Sequence, residues 1–291
     1  MTMKRIATLL SAIACCIGLL GCGLKNEPAQ IVATTLPVYD FTQRLCYGTE
    51  LEVFRLIDEE VACLHDYSLQ VDQMQALEGA QIVLASGAGL EDFLEDVKGN
   101  TAMIVDLSAG VPLLHADIHH DHHDHSTVDP HYWLAPENAR IMAANICREL
   151  IRLYPEHKSI FEKNLKTLYG EFDELQNYAD AQLENFTCKK LITFHDGFSY
   201  MADAFNLQIA HSVAEESGSE ASAQELIELS QLVKEHEIPA IFTEKNGSAS
   251  AARIIAKEVN IRIFSLDMAM SGNSYFDAMY HNIDTLKEAL E

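Results

Sequence analysis

Short apolar runs alternate with longer amphipathic stretches along most of this chain. Runs such as QIVLAS (81–86), LITF (191–194) and AIFT (240–243) are apolar and partly β-branched, which predicts buried strands. Between such runs, apolar residues recur every three or four positions, which predicts helices. Strands that alternate with helices are typical of parallel sheets covered by helices. The pattern therefore predicts an α/β fold.

The predicted elements fall into two groups on either side of a central helical region. Strands are predicted over 30–36, 51–57, 81–86, 102–107, 190–194, 207–213, 240–243 and 262–266. Helices are predicted over 38–46, 69–77, 90–97, 136–153, 156–185, the stretch after Gly197, 223–236, 249–259 and 275–290.

One predicted helix, 156–185, is longer than the others and carries apolar residues such as Phe161 and Phe172 at helical spacing. A helix of this length spans roughly 43 Å, which exceeds what one small lobe requires. We therefore expect a connecting helix between an N-terminal lobe, 30–155, and a C-terminal lobe, 186–291.

The N-terminal segment has the features of a bacterial lipoprotein signal. Two basic residues precede an apolar run that ends at Leu20 and is short for a membrane-spanning helix. The run ends in LLGC, which resembles a lipobox, so Cys22 is the expected lipidation site; because Leu20 is bulky there, ordinary signal cleavage nearby is the alternative. We expect residues 1–21 to be a signal peptide and 22–29 a lipidated N-terminus and spacer, which predicts an extracytoplasmic location on a bacterial membrane.

Composition and charge narrow the range of partners. With 48% hydrophobic residues the chain can bury a substantial core, and a formal charge of −24 disfavours nucleic acid and anionic membrane surfaces as partners. The same charge is compatible with attracting cations. Besides Cys22, the mature chain has Cys46, Cys63, Cys147 and Cys188, whose pairing the sequence does not select; without a CxxC pair, a zinc ribbon built from thiolates is not supported.

A His-rich segment, 115–131, is the most conspicuous chemical signal. It contains seven imidazoles interleaved with Asp121 and Asp124, and imidazole is the commonest protein ligand for zinc, copper and nickel. Composition alone does not define a site, and a solvated polar loop is the alternative. We predict an auxiliary metal loop, 115–125, made of His115, His119, His120, His122, His123 and His125.

Four further residues are candidate ligands of an ordered metal site. His65, His195 and Asp267 each follow a predicted strand, and His131 ends the His-rich segment. Ligands of open parallel sheets gather beyond the carboxyl ends of the strands. Three imidazoles and one carboxylate form a tetrahedral set suited to Zn²⁺.

The sequence around these residues resembles, in the same order, the motifs of the zinc and manganese substrate-binding lipoproteins of bacterial ABC importers. The motifs are HDY (65–67), DPHYWLAP (129–136), TFHDGFSYMADAFNL (193–207), IFTEKN (241–246) and FSLD (264–267). The segments TTLPVYDFTQRL, LASGAGLEDF and YHNIDTL also look like that family, so the resemblance covers essentially the whole mature chain.

The resemblance implies two α/β lobes joined by a long helix, with a metal in the cleft between them bound by His65, His131, His195 and Asp267. It implies a monomer that binds Zn²⁺ as cargo, catalyses no reaction, and delivers the metal to a cognate ABC permease and its ATPase. Manganese-selective members tend to have a carboxylate at the position of His195. The imidazole favours zinc here, because manganese prefers oxygen ligands.

Two departures from the family pattern leave the ligand set open. Asp267 is followed by Met268-Ala269 instead of the common proline, so Glu244 or a water is the alternative fourth ligand, and Glu244 is otherwise expected to hydrogen-bond a ligand imidazole. Cys63-Leu64 stands where the family usually has a proline just before the first ligand, so a thiolate from Cys63 is a less favoured alternative ligand.

Two other functions are alternatives to zinc transport. A zinc hydrolase would use three histidines with Glu244 as the general base, although the chain has no HExxH, GxSxG or P-loop motif. A manganese-binding or adhesin-type member of the same family is the other alternative.

Overall fold

The computed structural model of this chain describes residues 31–61, 64, 67–97, 99, 103–115, 128–186, 188–213 and 223–291. The predicted signal peptide and the lipidation site at Cys22 lie outside these residues. Cys63, His65 and all histidines of the predicted metal loop except His115 lie outside them as well.

The described strands form two parallel four-stranded sheets, one in each half of the chain. The first sheet has the order β2-β1-β3-β4 and the second the order β6-β5-β7-β8. The strands are β1 (Ile31–Ala33), β2 (Val53–Arg55), β3 (Ile82–Ala85), β4 (Met103–Asp106), β5 (Lys190–Phe194), β6 (Gln208–Ser212), β7 (Ala240–Glu244) and β8 (Arg262–Leu266). This arrangement confirms the predicted two-lobe α/β fold.

Helices connect the strands and cover the sheets. They are α1 (Leu36–Leu45), α2 (Val71–Gly79), α3 (Pro136–Leu153), α4 (Lys158–Leu183), α5 (Ser199–Ala204), α6 (Ala223–Glu235), α7 (Ser250–Val259) and α8 (Tyr275–Leu290). The predicted long helix is α4, whose 26 residues follow a short 3₁₀ turn at Pro155–His157. It spans roughly 39 Å at 1.5 Å per residue. None of the described helices combines the length and apolar character needed to cross a membrane.

Two predicted elements differ from the observed ones in type or by more than two residues at one end. The strand predicted over 30–36 ends at Ala33, because Pro37 lies in the first turn of α1 and Thr35 is the extended residue before the helix. The helix predicted over 90–97 is a 3₁₀ helix, Asp92–Val97.

Aromatic side chains join the N-terminal lobe to the C-terminal helix α8. The ring of Phe41 on α1 lies 4.9 Å from the ring of Tyr275 and 5.3 Å from the ring of Phe172 on α4, both edge to face. Oδ2 of the buried Asp40 accepts the backbone N–H of Tyr275 at 2.9 Å. The first lobe, the long helix and the last helix therefore share one hydrophobic core.

The described cysteines are free thiols. Cys46 and Cys147 are buried and Cys188 is partly buried. Burial raises the pKa of the Cys46 thiol to about 12 and that of Cys147 to about 11, so both are protonated at neutral pH.

Candidate metal centre

The strand register of the second sheet places the predicted residues of this lobe at one edge. Phe194 of β5 is paired with Thr243 of β7, so His195, which directly follows β5, lies beside Glu244, the last residue of β7. Glu244 of β7 is paired with Leu266 of β8, so Asp267 follows at the same edge. In parallel sheets this carboxyl edge is where ligands bind.

His131 is held in a fixed orientation by Asp129. Oδ1 of Asp129 lies 2.9 Å from Nδ1 of His131 and accepts the His131 backbone N–H at 2.9 Å. Both side chains are buried, with His131 only 6% exposed. Because the carboxylate accepts the Nδ1 proton, Nε2 carries the lone pair that a metal requires.

The structure brings His131 and His195 together, although they lie 64 positions apart in the sequence. Their ring centroids lie 5.3 Å apart, and the ring planes make an angle of 78°. His195 comes from the second sheet, whereas His131 follows the first sheet in the chain. Two imidazoles from the two halves of the chain therefore contact each other edge to face.

Gly197 is the residue that allows this close approach. A Cβ atom at position 197 would lie 2.8 Å from Nδ1 and 2.9 Å from Cγ of His131, and 2.4 Å from Cε of Met268. Real Cβ atoms essentially never come this near to other heavy atoms. The loop after His195 therefore packs directly on the edge of the His131 ring only because residue 197 has no side chain.

Glu244 lies beside His195 and is protected from solvent. Its Oε2 atom is 3.4 Å from Nδ1 of His195, and its side chain is 6% exposed. Burial, and to a smaller extent the nearby charge of Asp267, raises the pKa of Glu244 to about 8. A cation bound at this edge would favour the ionised form of Glu244.

Asp267 has internal partners for both carboxylate oxygens. Oδ2 accepts Nζ of Lys245 at 2.8 Å, and Oδ1 accepts the backbone N–H of Ala269 at 2.8 Å. Asn282 fixes the backbone, since it bonds both the N–H and the C=O of Asp267 at 2.7 Å. Asp267 is therefore well ordered, but a metal would have to replace one of these partners.

The complete predicted ligand set cannot be assembled from the described part of the chain. His65 lies outside it, and no group of three His, Cys, Asp or Glu residues that could hold a metal is found among the described residues. His131 and His195 are the two predicted ligands whose rings contact each other. Glu244 lies beside His195, and Asp267 directly follows the neighbouring strand β8 at the same edge of the sheet. The role of His65 and the choice of the fourth ligand remain predictions.

The base of the predicted metal loop is tied to the second lobe by Tyr200, a contact that the sequence did not reveal. The phenolic oxygen of Tyr200 accepts the backbone N–H of Leu114 at 2.7 Å and donates to the backbone carbonyl of Asp129 at 2.8 Å. His115 and Val128 form an antiparallel bridge between them. One hydroxyl group from α5 thus closes the base of the loop and positions the residue that orients His131.

Three residues within two positions of His131 or His195 have structural contacts. Tyr132 and Trp133 are fully buried in the core, and Nε1 of Trp133 donates to the carbonyl of Met268 at 2.9 Å. Asp196 accepts the hydroxyl of Ser212 at 2.5 Å and begins a 3₁₀ helix.

The chain resembles known proteins in both sequence and fold. The family model of the zinc-uptake complex component A, periplasmic (ZnuA), matches residues 31–289. The zinc-binding protein AdcA of Streptococcus pyogenes serotype M1 is 28% identical over 91% of this chain and 56% of AdcA, so the chain spans just over half the length of that relative. The manganese ABC transporter substrate-binding lipoprotein PsaA of Streptococcus anginosus is 24% identical over 99% of both chains. A crystal structure of ZnuA has a TM-score of 0.78 and 25% identity, covering 90% of this chain and all of that one.

Proposed function

Because this chain belongs to the family of the zinc-uptake complex component A, periplasmic, we propose that it captures Zn²⁺ outside the cytoplasm and delivers it to an ABC-type permease. The observation that carries the proposal is the pair of facing imidazoles. His131 and His195 come from the two halves of the chain, and their rings lie 5.3 Å apart. A metal between them would be held by both lobes at once.

The proposed ligands are His65, His131, His195 and one carboxylate. Nitrogen ligands favour zinc over manganese, and the Asp129 contact prepares Nε2 of His131 for coordination. We propose Asp267 as the fourth ligand. Glu244 would then remain beside Nδ1 of His195 and orient that ring, although Glu244 is the alternative fourth ligand.

We propose that the protein binds and releases its cargo without a chemical reaction. The hydrolase alternative requires a general base next to an open position on the metal. Glu244 is the only candidate that the sequence offered for that role, and its buried side chain lies 3.4 Å from Nδ1 of His195, where it can orient that ring. These contacts support a binding protein.

The cellular setting follows from the N-terminal sequence and the family. We propose that the chain is a monomer anchored to the extracytoplasmic face of a bacterial membrane by a lipid on Cys22, with a cognate permease and its ATPase as partners.

We further propose that the loop 115–125 collects additional metal ions at weaker sites. Deletion of 115–125 is expected to leave one tight site and to remove the weaker ones, and loss of the tight site would contradict this division.

Titration calorimetry with Zn²⁺ and with Mn²⁺ on the mature protein tests the proposed cargo. We expect a 1:1 complex that is tighter for Zn²⁺ than for Mn²⁺, and binding that weakens as the pH falls through the imidazole pKa, because protons compete for the same nitrogens. Tighter binding of Mn²⁺ would instead support the manganese alternative.

A further inference from the structure

Lys245 brings a positive charge to the edge where the cation is proposed to bind. It directly follows β7, and Asp267 directly follows the neighbouring strand β8, so the paired register of Glu244 and Leu266 makes the two residues neighbours. Nζ of Lys245 lies 2.8 Å from Oδ2 of Asp267. A lysine that stayed at this position would repel a divalent metal ion and weaken its binding.

The two partners of this ion pair differ in burial. The carboxylate of Asp267 is 6% exposed, whereas the Lys245 side chain is 47% exposed and approaches from solvent. A buried carboxylate without a counter-charge is unfavourable, so the ammonium group stabilises Asp267 when no metal is present. Because the Lys245 side chain is already about half exposed to water, its ammonium group can move away from Asp267 without exposing a buried lysine.

The rest of the Asp267 environment is fixed. Its backbone is bonded on both sides by Asn282, and its Oδ1 atom accepts the Ala269 N–H. Oδ2 is therefore the oxygen whose partner can be exchanged. A metal ion and an ammonium group cannot occupy the same side of this oxygen together.

We propose that Lys245 is an exchangeable counter-ion of Asp267, which it neutralises in the metal-free protein and leaves when zinc binds. This inference rests on the proposed function and on Asp267 as the fourth ligand. Asp267 is thus paired with Lys245 in the metal-free state and with zinc in the metal-bound state. Lysine competes with zinc for the carboxylate, lowers the affinity, and returns to Asp267 as zinc is released to the permease.

For Lys245→Met we expect opposite effects on two quantities, the unfolding temperature of the metal-free protein and the zinc affinity. The metal-free variant should unfold at a lower temperature than the wild type, because Asp267 loses its counter-charge. Its zinc affinity should nevertheless rise about 1.5- to 5-fold, as expected for loss of a partly solvent-exposed ion pair. If Lys245 had a purely structural role, its substitution would lower both the unfolding temperature and the zinc affinity.

A double-mutant cycle separates the ion pair from a general charge effect. Zinc dissociation constants are measured by chelator competition for the wild type, Lys245→Met, Asp267→Asn and the double variant, with Lys245→Gln as a second neutral replacement. Lys257→Met, at an exposed position on α7, is the matched control for losing one positive charge. We expect the gain in affinity in the wild-type background only, and no gain in the control.

Three results would overturn the inference. The first is an unchanged or weaker zinc affinity in both Lys245 variants. The second is a gain in zinc affinity from Lys245→Met that is as large in the Asp267→Asn background as in the wild type. The third is a gain in zinc affinity from Lys257→Met that equals the gain from Lys245→Met. In each of these cases a wild type that binds zinc 1:1 leaves the proposed function intact. A wild type that binds no zinc would overturn the proposed function, and this inference with it.

Discussion

Oδ1 of Asp129 lies 2.9 Å from Nδ1 of His131 and also accepts the backbone N–H of His131. One carboxylate oxygen thus fixes both the ring and the backbone of a proposed zinc ligand. The other oxygen, Oδ2, is buried and has no hydrogen-bond partner among the described residues. The carboxylate is therefore committed to orienting this histidine.

Asp129→Ala should weaken zinc binding about 10- to 100-fold, because carboxylates that orient a ligand histidine typically contribute this much to metal affinity. Chelator competition measures the effect, with Asp203→Ala, an exposed aspartate on α5, as the control. An affinity that is the same in both variants would show that Asp129 does not prepare His131 for the metal.

Gly197→Ala should disturb the site, because the added Cβ would lie 2.8 Å from Nδ1 of His131. We expect a loss of about 1–3 kcal/mol in the free energy of unfolding, as for overpacked cores, together with weaker zinc binding. Gly170→Ala is the matched control, since a Cβ at that position of α4 meets nothing within 4 Å. It should instead stabilise the helix by up to about 1 kcal/mol. Equal free energies of unfolding and equal zinc affinities of the two variants would contradict the close packing of Gly197 on His131.

Tyr200→Phe removes the hydroxyl that joins Leu114 to Asp129. The Leu114 N–H then loses its partner, and we expect the free energy of unfolding in urea to fall by about 1–3 kcal/mol. Tyr47→Phe is the control, because Tyr47 is 80% exposed and should be neutral. If Tyr200→Phe were as stable as this control, the hydroxyl would not hold the base of the loop to the second lobe.

The buried Glu244 should make the metal-free protein less stable at alkaline pH. Its pKa is raised from 4.5 to about 8 by burial and then by Asp267, so between these values the folded chain holds a proton that the unfolded chain has lost. The contribution of Glu244 to stability is therefore fully present below pH 4.5 and is lost as the pH rises through 8.

Denaturant unfolding of the wild type and of Glu244→Gln from pH 4.5 to 9 measures this effect. Glutamine resembles the protonated acid, so the advantage of the variant should be near zero at the acidic end, grow with pH, and level off above pH 8. A pH-independent difference would show that Glu244 ionises normally in the folded protein.

The sequence predicted the elements well because each local pattern agreed with the fold. Pro136 and Leu153 bound the observed α3 as predicted, and the strands that end at Phe194 and Leu266 were also placed correctly. The error at Leu36 arose because Pro37 was interpreted as the end of a strand, whereas it lies in the first turn of α1.

The finer structure of the site depends on contacts between distant parts of the chain. The approach of Gly197 to His131 and the bonds from Tyr200 to Leu114 and Asp129 join residues of different lobes. No periodicity or motif encodes such contacts, because they arise only when the lobes pack together. The pairing of Lys245 with Asp267 similarly requires the register of β7 and β8, although both residues lie at predicted strand ends.

The zinc affinity of variants at His131 and His195 tests the central claim most directly. Dissociation constants are measured by chelator competition for the wild type, His131→Ala, His195→Ala and the double variant, with His211→Ala, an exposed histidine on β6, as the control. We predict that the wild type and the control bind one zinc tightly and that the double variant loses this site. Tight 1:1 zinc binding by the double variant would contradict the assigned metal centre.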